Sequence, residues 1–428
     1  MGLFRIFIVS LFFALALLSN RVYATDFFTV DQLVNQGLQQ NPELKYYEAK
    51  VLEAQGERTQ AGLWKNPQFS GQYGERRVSD DKGNLEGKDN TRSISVTQTF
   101  EFPGKGSLRK AIANKNIELA ELGLKQFRLA LEGKIQSLAI QYVVAARNGA
   151  AAGEISERSS ALIKLLQERP AAGTQQLLEL RVIEGNLLEL QKFTKEVLEA
   201  KEEARTELNN LLGWPTSQQF DLQIELTLPP KKITQLNALI LSGLSNNLQL
   251  KIRTVELEKA IKEVSAQKLE AAPDFSIGPF FSQDKAYELE ENLGVTLSMT
   301  LPLWNWNQGG ISTAKAQKLQ ADALLLDARR KVENEIIRRY KAYGFVQTQL
   351  EQMPPDTIEK FHEASDLADR QYRTGGIGVQ LFLEIQKQFL SAQQIRNEAI
   401  LEGWKNWLDL KLLAGDITTL ESYKEQIK

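Results

Sequence analysis

The sequence predicts a mainly α-helical fold that carries a membrane β-barrel and is built from two copies of one structural unit. Three observations support this prediction: an apolar leader at the N-terminus, motifs that recur at a nearly constant spacing, and two stretches in which apolar and polar residues alternate. Each copy is predicted to consist of a helix, a β-hairpin, a long helix and a return helix.

The N-terminal residues have the order of a secretory signal peptide. Arg5 precedes an apolar run at 6–18, and small residues stand before the expected cleavage point near Thr25. The run is shorter than the roughly 18 to 20 apolar residues that a membrane-spanning helix needs. We therefore expect residues 1–24 to be removed on export. A retained membrane anchor is the alternative, but no stop-transfer segment follows to support it.

Composition excludes several classes of function. The chain has no cysteine and one histidine, His362, which excludes disulfides, thiolate metal sites and metal sites with several histidines. The net charge is −2 at pH 7 and becomes more negative once the arginines of the leader are removed. The chain therefore lacks the basic surface of a nucleic-acid-binding protein. No nucleophile is paired with a base in the sequence, so we predict neither an enzyme nor a bound cofactor.

The chain is predicted to be an internal duplication. The segment 41–45 (NPELK) recurs 206 residues later as 247–251 (NLQLK), and 67–70 (PQFS) recurs at the same offset as 273–276 (PDFS). Similar helix-rich composition alone would not keep both motifs in step. The duplication divides the chain into a signal peptide at 1–24, a first repeat at 25–213, a linker or equatorial segment at 214–232, a second repeat at 233–415 and a tail at 416–428.

Long helices are predicted on both sides of each hairpin. The first helix of each copy is expected at about 30–63 and 233–271, where it ends before a proline. The later helices carry apolar residues three or four positions apart, which is typical of a coiled-coil seam. Asn148-Gly149 and Pro354-Pro355 stand at matching positions and predict a bend or loop midway along these helices.

Two β-hairpins are predicted from alternating sequence. Their strands are expected at about 67–79 and 90–102 in the first copy and at about 273–283 and 291–301 in the second. Such alternation fits a half-buried soluble sheet or a barrel wall, and the flanking long helices favour the barrel wall. Four strands cannot close a barrel, and open edges in lipid would leave backbone groups unpaired. The sequence therefore requires oligomerisation without fixing the number of copies.

The order of these features resembles the TolC-like outer-membrane efflux channels, including their cation-efflux branch. The matching motifs are 41–44 (NPEL), the strand-to-helix corners 102–104 (FPG) and 301–303 (LPL), the pair Gly309-Gly310, and 372–375 (YRTG) followed by 383–386 (LEIQ). Each motif is weakly specific, and their order, found twice, carries the resemblance across essentially the whole mature chain.

The resemblance implies a passive exit channel of a tripartite efflux pump in the outer membrane, extending into the periplasm. It implies a homotrimer with a shared twelve-stranded barrel in outer-membrane lipid and a hollow periplasmic α-barrel. A periplasmic adaptor (membrane fusion) protein and an inner-membrane pump would be its partners, and metal cations or drugs its substrates. The exit channel of a type I protein secretion system is one alternative. A periplasmic coiled-coil scaffold is another, although it leaves the hairpins without a purpose.

The resemblance also implies the functional residues. Glu179 and Glu384 would ring the periplasmic aperture, with Leu381 standing where a further acidic residue is expected. The adaptor-docking turns would comprise Ala172, Gly173, Thr174, Thr374, Gly375, Gly376, Ile377 and Gly378, and the barrel-to-helix corners would be Pro103 and Pro302. Considered without the resemblance, the turn glycines could be ordinary helix C-caps and the glutamates ordinary solvated charges. Trp304 and Trp306 are interpreted as part of an aromatic girdle at the membrane interface.

Overall fold

The structure is a computed structural model that describes residues 27–168, 173–222, 226, 228–230, 235–286 and 288–415. The predicted signal peptide, Ala172 and the tail at 416–428 lie outside these residues. The described residues are mainly helical, with helices α1 (Val30–Gln40), α2 (Pro42–Ala61), α3 (Lys105–Glu168), α4 (Thr174–Leu212), α5 (Leu236–Asn246), α6 (Leu248–Glu270), α7 (Gln308–Glu351), α8 (Pro355–Arg373) and α9 (Val379–Ala414). The strands are β1 (Phe27–Phe28), β2 (Gln68–Ser79), β3 (Leu85–Phe100), β4 (Asp221–Leu222), β5 (Phe275–Asp284) and β6 (Glu290–Met299).

The first helix of each copy is divided in two, where the sequence predicted one continuous helix. Asn41 separates α1 from α2 and has a ψ of 123°, outside the helical region, as expected for a residue before proline. Asn247 separates α5 from α6 with nearly the same backbone angles. Its side chain accepts the N–H of Leu250 at 3.1 Å, which caps the start of α6.

The chain divides into two compact units. One contains the described residues of 1–41, 131–232 and 342–408, and the other those of 42–130, 233–341 and 409–428. Among the described residues, no helix holds an apolar stretch long enough to cross a membrane.

Two buried asparagines join helices within these units in the same way. In the first unit, Nδ2 of Asn41 donates to the carbonyl oxygen of Leu211 at 2.9 Å. In the second, Nδ2 of Asn247 donates to the carbonyl oxygen of Leu413 at the same distance. Each amide therefore satisfies a carbonyl at the C-terminal end of a return helix, where intrahelical partners run out.

The first unit has an aromatic core beside a small parallel sheet. β1 pairs with β4, and Phe28 packs against Trp214 and Phe220. Tyr142 of α3 is 1% exposed, and its hydroxyl donates to the carbonyl oxygen of Phe220 at 3.3 Å. The start of the predicted linker segment is therefore structured, because its strand and aromatic residues bury against this unit.

The second unit contains a four-stranded antiparallel sheet in the order β2-β3-β5-β6. β2 and β6 are its two edges. β3 begins at Leu85, five residues before the predicted start, because the turn between β2 and β3 is tight. In that turn Asp80 accepts the backbone N–H of Lys82 and of Asn84, and Gly83 takes a φ of 86°. Such side-chain bonds and a left-handed glycine stabilise short turns.

The midway interruption occurs in only one copy. α7 ends at Glu351 and α8 begins at Pro355, a favourable first helical position for proline. α3 instead continues through Asn148 without a loop, so the prediction of a loop there is wrong. Asn148 is buried and accepts a hydrogen bond from Nδ2 of Asn397 at 2.7 Å, so its side chain does not break the helix.

Candidate functional site

One face of the four-stranded sheet is apolar and exposed. Because residues two apart on a strand share a face, the register places large apolar side chains side by side across all four strands. They are Phe69, Tyr73, Ile94, Val96, Phe275, Ile277, Leu293, Val295, Leu297 and Met299. Leu293 is 83% exposed and Leu297 71%. The alternation predicted from sequence is present, and the exposed apolar face exceeds what water-soluble monomers normally show.

The opposite face of the sheet is polar. Hydroxyl and amide side chains occupy most of its positions: Ser70, Gln72, Ser93, Ser95, Thr97, Thr99, Ser276, Ser282, Asn292, Thr296 and Ser298. Towards the hairpin ends, Arg76 on this face forms ion pairs with Asp284 at 2.5 Å and Glu290 at 3.8 Å. The sheet thus separates an apolar side from a hydrophilic one, which is the arrangement of a wall between lipid and water.

The two predicted corners lie where strands lead into helices. Pro103 follows β3, and the next residue, Gly104, has a φ of 102° and directly precedes α3. Pro302 follows β6 and is separated from α7 by a longer segment. In that segment Nδ2 of Asn307 donates to both the carbonyl oxygen and Oε1 of Gln267 at 2.8 Å, which anchors it to α6.

A charged cluster joins the first repeat to the second at the Pro103 corner. Nζ of Lys105 lies 2.9 Å from Oδ1 of Asp274 and 3.3 Å from Glu270. Lys65 lies 3.1 Å from Oδ2 of Asp274, and the N–H of Phe102 donates to Oδ1 at 3.1 Å. Partial burial raises the pKa of Asp274, but the bonds from Lys105, Phe102 and Lys65 outweigh it and lower the pKa to about 2.

The turn between α8 and α9 is a Schellman cap. The N–H of Gly376 donates to the carbonyl oxygen of Gln371 at 2.8 Å, and the N–H of Gly375 donates to that of Tyr372 at 3.1 Å. Gly375 has the left-handed φ of 79° that this motif needs. The glycine therefore does serve as a helix C-cap, and the cap presents Thr374, Gly375, Gly376, Ile377 and Gly378 as a compact turn.

The other turn is described only from Gly173 onward. Gly173 precedes α4 with a φ of 111° and a ψ of −177°, a conformation open essentially to glycine alone. Thr174 is the first residue of α4. Gly173 thus stands at the N-terminus of a helix, where the sequence alternative had placed it at a C-terminus.

The two glutamates predicted to ring the aperture have different surroundings. Glu179 is half-buried and accepts hydrogen bonds from the hydroxyl of Tyr372 at 3.5 Å and from Nε2 of Gln175 at 3.3 Å. It therefore connects α4 to the end of α8. Glu384 is exposed on α9 and accepts a bond from Nε2 of Gln388 at 2.6 Å.

Exposed apolar side chains lie within three residues of these glutamates in the sequence. Leu381, where the resemblance leads one to expect an acid, is 52% exposed. Leu177, Leu178 and Val182 on α4 are also about half exposed or more. Beneath the turns lies an apolar cluster of Leu162, Ile163, Leu166, Ile183, Ala368 and Phe382. This cluster packs against Ile377 of the turn between α8 and α9, and leucines as well as carboxylates are exposed near it.

Sequence reasoning missed one cluster of chemically active side chains. Nε2 of His362 lies 3.6 Å from Glu154, and its Nδ1 lies 3.8 Å from Asp366. Arg158 pairs with both carboxylates, at 2.5 Å from Asp366. Arg158 offsets part of the negative charge of the two carboxylates, and the two imidazole nitrogens face different acids, so the group is arranged as an ion-pair network. The i, i+4 spacing could have indicated the contacts within each helix, Glu154 with Arg158 and His362 with Asp366. It could not have indicated the contacts between the helices.

Comparison with known proteins identifies the fold. No protein-family model and no characterised protein matches the sequence. Solved structures do match: the CmeC outer membrane channel of Campylobacter jejuni is 17% identical with a TM-score of 0.71, covering 93% of this chain and 89% of that one. A membrane protein from Pseudomonas aeruginosa is 16% identical, with a TM-score of 0.74 and 92% coverage of both chains. The chain has the fold of outer-membrane channels.

The outer-membrane-channel fold extends over both repeats. The open-state MtrE outer membrane channel of Neisseria gonorrhoeae is 14% identical with a TM-score of 0.65, and the match covers 90% of this chain and 88% of that one. At such low identities the likeness establishes the shared fold. The predicted fold of one protomer, mostly helical with two hairpins, is confirmed.

Proposed function

We propose that this chain is one protomer of a homotrimeric outer-membrane exit channel, through which substrates pass from a periplasmic adaptor and an inner-membrane pump to the exterior. The observation that carries the proposal is the four-stranded sheet, with its exposed apolar face, its polar opposite face and its two open edges. The fold shared with outer-membrane channels supports it independently.

Closure of the sheet explains why one copy is not enough. In lipid, each unpaired backbone group at the edges of β2 and β6 would cost several kcal/mol, so the edges must pair. Edge-to-edge pairing of three copies gives twelve strands, within the range of known outer-membrane barrels. The apolar face then meets outer-membrane lipid, and the serines and threonines of the other face line a water-filled lumen.

The helices and turns supply the periplasmic part of this function. The long helices form a hollow α-barrel, and the two turns that include Gly173 and Gly375 form its mouth and dock the adaptor. The compact cap at Gly375 and the apolar cluster beneath both turns support this role, because a docking surface needs a fixed backbone. Glu179 and Glu384 lie close to these turns and face the aperture.

In this proposal the pump, and not the channel, selects the substrate. In the part of the chain that the structure describes, the one group with metal-ligand residue types is ion-paired with Arg158. The channel therefore acts as a passive conduit, and the pump selects metal cations or drugs. Membership of the cation-efflux branch would be decided by deleting the gene and measuring sensitivity to metals and to drugs, with export of proteins measured in parallel for the secretion alternative.

Reconstitution tests the proposal directly. The purified protein should fractionate with outer membranes, have the mass of a trimer in mild detergent and conduct ions in planar bilayers. A folded monomer that inserts into membranes, or a trimer that never conducts, would overturn it. A periplasmic scaffold would instead remain soluble after osmotic release.

A further inference from the structure

The second unit already contains one pairing between strands of the two repeats, which we call the internal junction. Inside the sheet, β3 of the first repeat pairs with β5 of the second, and charged side chains join the corners beneath them. If copies assemble, β6 of one meets β2 of the next. That contact would again join the second strand of one repeat to the first strand of the other. The internal junction can therefore serve as a template for the contact between copies.

Buried residues show which positions of the first repeat correspond to which positions of the second. An offset of 206 relates Leu44 to Leu250 and Ala54 to Ala260, and all four are less than 9% exposed. The same offset relates Pro67 to Pro273, at the start of the sheet. It therefore holds along α2 and α6 and into strands β2 and β5.

Different offsets hold beyond the hairpins. Strands β3 and β6 end at Phe100 and Met299, each three residues before the corner proline, so their offset is 199. Along α3 and α7 the offset is 201, because it relates the buried Ala113 to Ala314 and the buried Tyr142 to Tyr343. Each of these two tyrosines also donates its hydroxyl to a backbone carbonyl of the linker region.

Applying these offsets to the pairs of the internal junction predicts which residues of β6 lie opposite which residues of β2 in the next copy. Within the chain, Phe100 pairs with Phe275 and their rings stack at 5.4 Å, while the hydroxyls of Thr99 and Ser276 lie 2.8 Å apart. The matched pairs are Met299 with Phe69 of the next copy and Ser298 with Ser70 of the next copy. A sulfur–aromatic contact replaces the stacked rings, and a hydroxyl pair is kept.

This register keeps both faces of the sheet intact. It places Val295 opposite Tyr73 of the next copy on the apolar face, and Thr296 opposite Gln72 of the next copy on the polar face. A slip of one residue would reverse every side chain of β6, and lipid would then meet hydroxyl groups. The register is therefore consistent with the alternation of both strands.

Below the sheet, the template's ion pairs map onto apolar residues. Lys105 and Glu270 lie 3.3 Å apart within the chain. The offset of 206 relates Glu270 to Trp64, and the offset of 201, carried back two residues before the start of α7, relates Lys105 to Trp306. These tryptophans are 57% and 77% exposed, although burial of large aromatic side chains is strongly favourable. Trp64 touches Phe100 with a ring-centroid distance of 5.9 Å, yet most of its surface has no cover.

Further along the helices, a second ion pair within the chain again corresponds to uncharged residues. Lys115 lies 2.6 Å from Glu258, and the matched positions hold Ala316 and Leu52. Leu52 is 68% exposed on α2. At both levels an ion pair within the chain corresponds to two uncharged, exposed side chains at the open edges.

We propose that Trp306 and Ala316 of one copy pack against Trp64 and Leu52 of the next, with Met299 of β6 opposite Phe69 of the next copy's β2. The two kinds of junction then differ in chemistry, since charges fix the contact within a chain and apolar burial drives the contact between chains. This inference rests on the proposed trimeric channel and adds to it the residues and register of the subunit contact.

Disulfide trapping tests the register, and the absence of native cysteine makes the experiment clean. Residues directly opposite on antiparallel strands have Cα atoms about 4.5 to 5.5 Å apart, within reach of a disulfide. Met299→Cys with Phe69→Cys should give covalent trimers on non-reducing gels. The same two positions within one copy lie three strand spacings apart, about 14 Å, which is too far to bridge.

Two matched variants control this experiment. Phe100→Cys with Phe275→Cys copies the template pair and should link only within one chain. Leu297→Cys with Phe69→Cys is shifted by two residues, where side chains are about 7 to 8 Å apart, and should link several-fold less than the Met299 pair. Stronger linking of the shifted pair would overturn the register.

A charge exchange tests the corner contact. Trp64→Glu should lower the fraction of trimer on mild-detergent gels, because it buries a lone carboxylate against the ring of Trp306. Trp306→Lys should lower it less, because its ammonium gains a cation–π attraction to the ring of Trp64. Together they recreate the Lys105–Glu270 pair between copies and should restore the trimer. No recovery in the double variant, or no loss in either single variant, would overturn this contact. If instead the unaltered protein is a monomer that does not conduct, the proposed function itself fails.

Discussion

Nζ of Lys105 lies 2.9 Å from Oδ1 of Asp274, so the first residue of α3 is bonded to the residue that precedes β5. The two belong to different repeats and are 169 positions apart in sequence. Because Lys65 and the N–H of Phe102 converge on the same carboxylate, Asp274 anchors both repeats beneath the sheet.

The first prediction concerns the stability that Asp274 provides. Its pKa of about 2 lies below the model-compound value of 3.8, so its ionised form favours the folded state by about 2 kcal/mol. This contribution is complete above pH 4 and is lost as the pH falls through 2. Asp274→Asn should lower the free energy of unfolding by about that amount at pH 7 and flatten its dependence on acid. Asp327→Asn, which removes an exposed i, i+4 pair with Lys331, should cost less than about 1 kcal/mol.

The second prediction separates the two faces of β6. Leu297→Arg should cost about 2 to 4 kcal/mol of stability in lipid if the side chain lies near mid-membrane. Ser298→Arg, on the polar face, should mainly lower single-channel conductance. Unfolding in lipid vesicles and bilayer recordings measure the two effects. Equal tolerance of arginine at both positions would mean that the sheet is not a barrel wall.

The third prediction concerns ion selectivity at the aperture. If three copies of Glu179 and Glu384 converge on the axis, their carboxylates attract cations and repel anions. Glu179→Gln with Glu384→Gln should therefore reduce the cation preference, measured as the reversal potential in a salt gradient. Glu184→Gln with Glu189→Gln, further along α4 from the turns, is the matched control. Unchanged selectivity in the first variant would place the two glutamates away from the gate.

The fourth prediction concerns the turn at Gly375. A valine there would be strained at a φ of 79° and would block the turn that we propose docks the adaptor. Gly375→Val should abolish efflux in cells while the purified trimer still assembles and conducts. Gly185→Val, at an open position inside α4, controls for the added side chain. Normal efflux by the Gly375 variant would exclude this turn from docking.

The fifth prediction concerns a buried amide in α9. Gln386 is 1% exposed, and within the described residues neither of its side-chain polar atoms has a hydrogen-bond partner. Gln386→Leu keeps the volume and removes the desolvation cost, so it should raise the free energy of unfolding by about 1 to 3 kcal/mol. Gln388→Leu, which is exposed, should have little effect. A loss of stability at position 386 would show that the amide has a partner in the assembled channel.

Sequence periodicity predicted the elements that depend on local pattern. Alternation over 292–301 gave β6 and its two faces, and the apolar spacing gave the long helices. The break at Asn41 was missed because a proline just after it also fits the first turn of a helix. The early start of β3 was missed because residues 85–90 have loop composition, and they become strand only by pairing with 75–79.

The candidate site was predictable only in part. The turn glycines could be predicted, because backbone conformations with positive φ strongly favour glycine. The contact of Glu179 with Tyr372 could not be predicted, because it joins residues 193 positions apart. The network of His362 with Glu154 and Arg158 likewise depends on packing between distant helices. Such pairs are set by the tertiary fold, and no local pattern in one sequence encodes them.

The two hairpins differ in height, and in the proposed channel this difference shapes the outer rim of the barrel. β3 pairs with β5 only as far as Thr91, so residues 75–79 and 85–90 continue as a two-stranded ribbon that β5 and β6 do not accompany. In a closed trimer the rim would therefore be uneven, with three projecting fingers tipped by the turn at Asp80. If the sheet closes as proposed, an antibody or a bacteriophage that approaches the cell would meet a tip that is repeated three times around the rim.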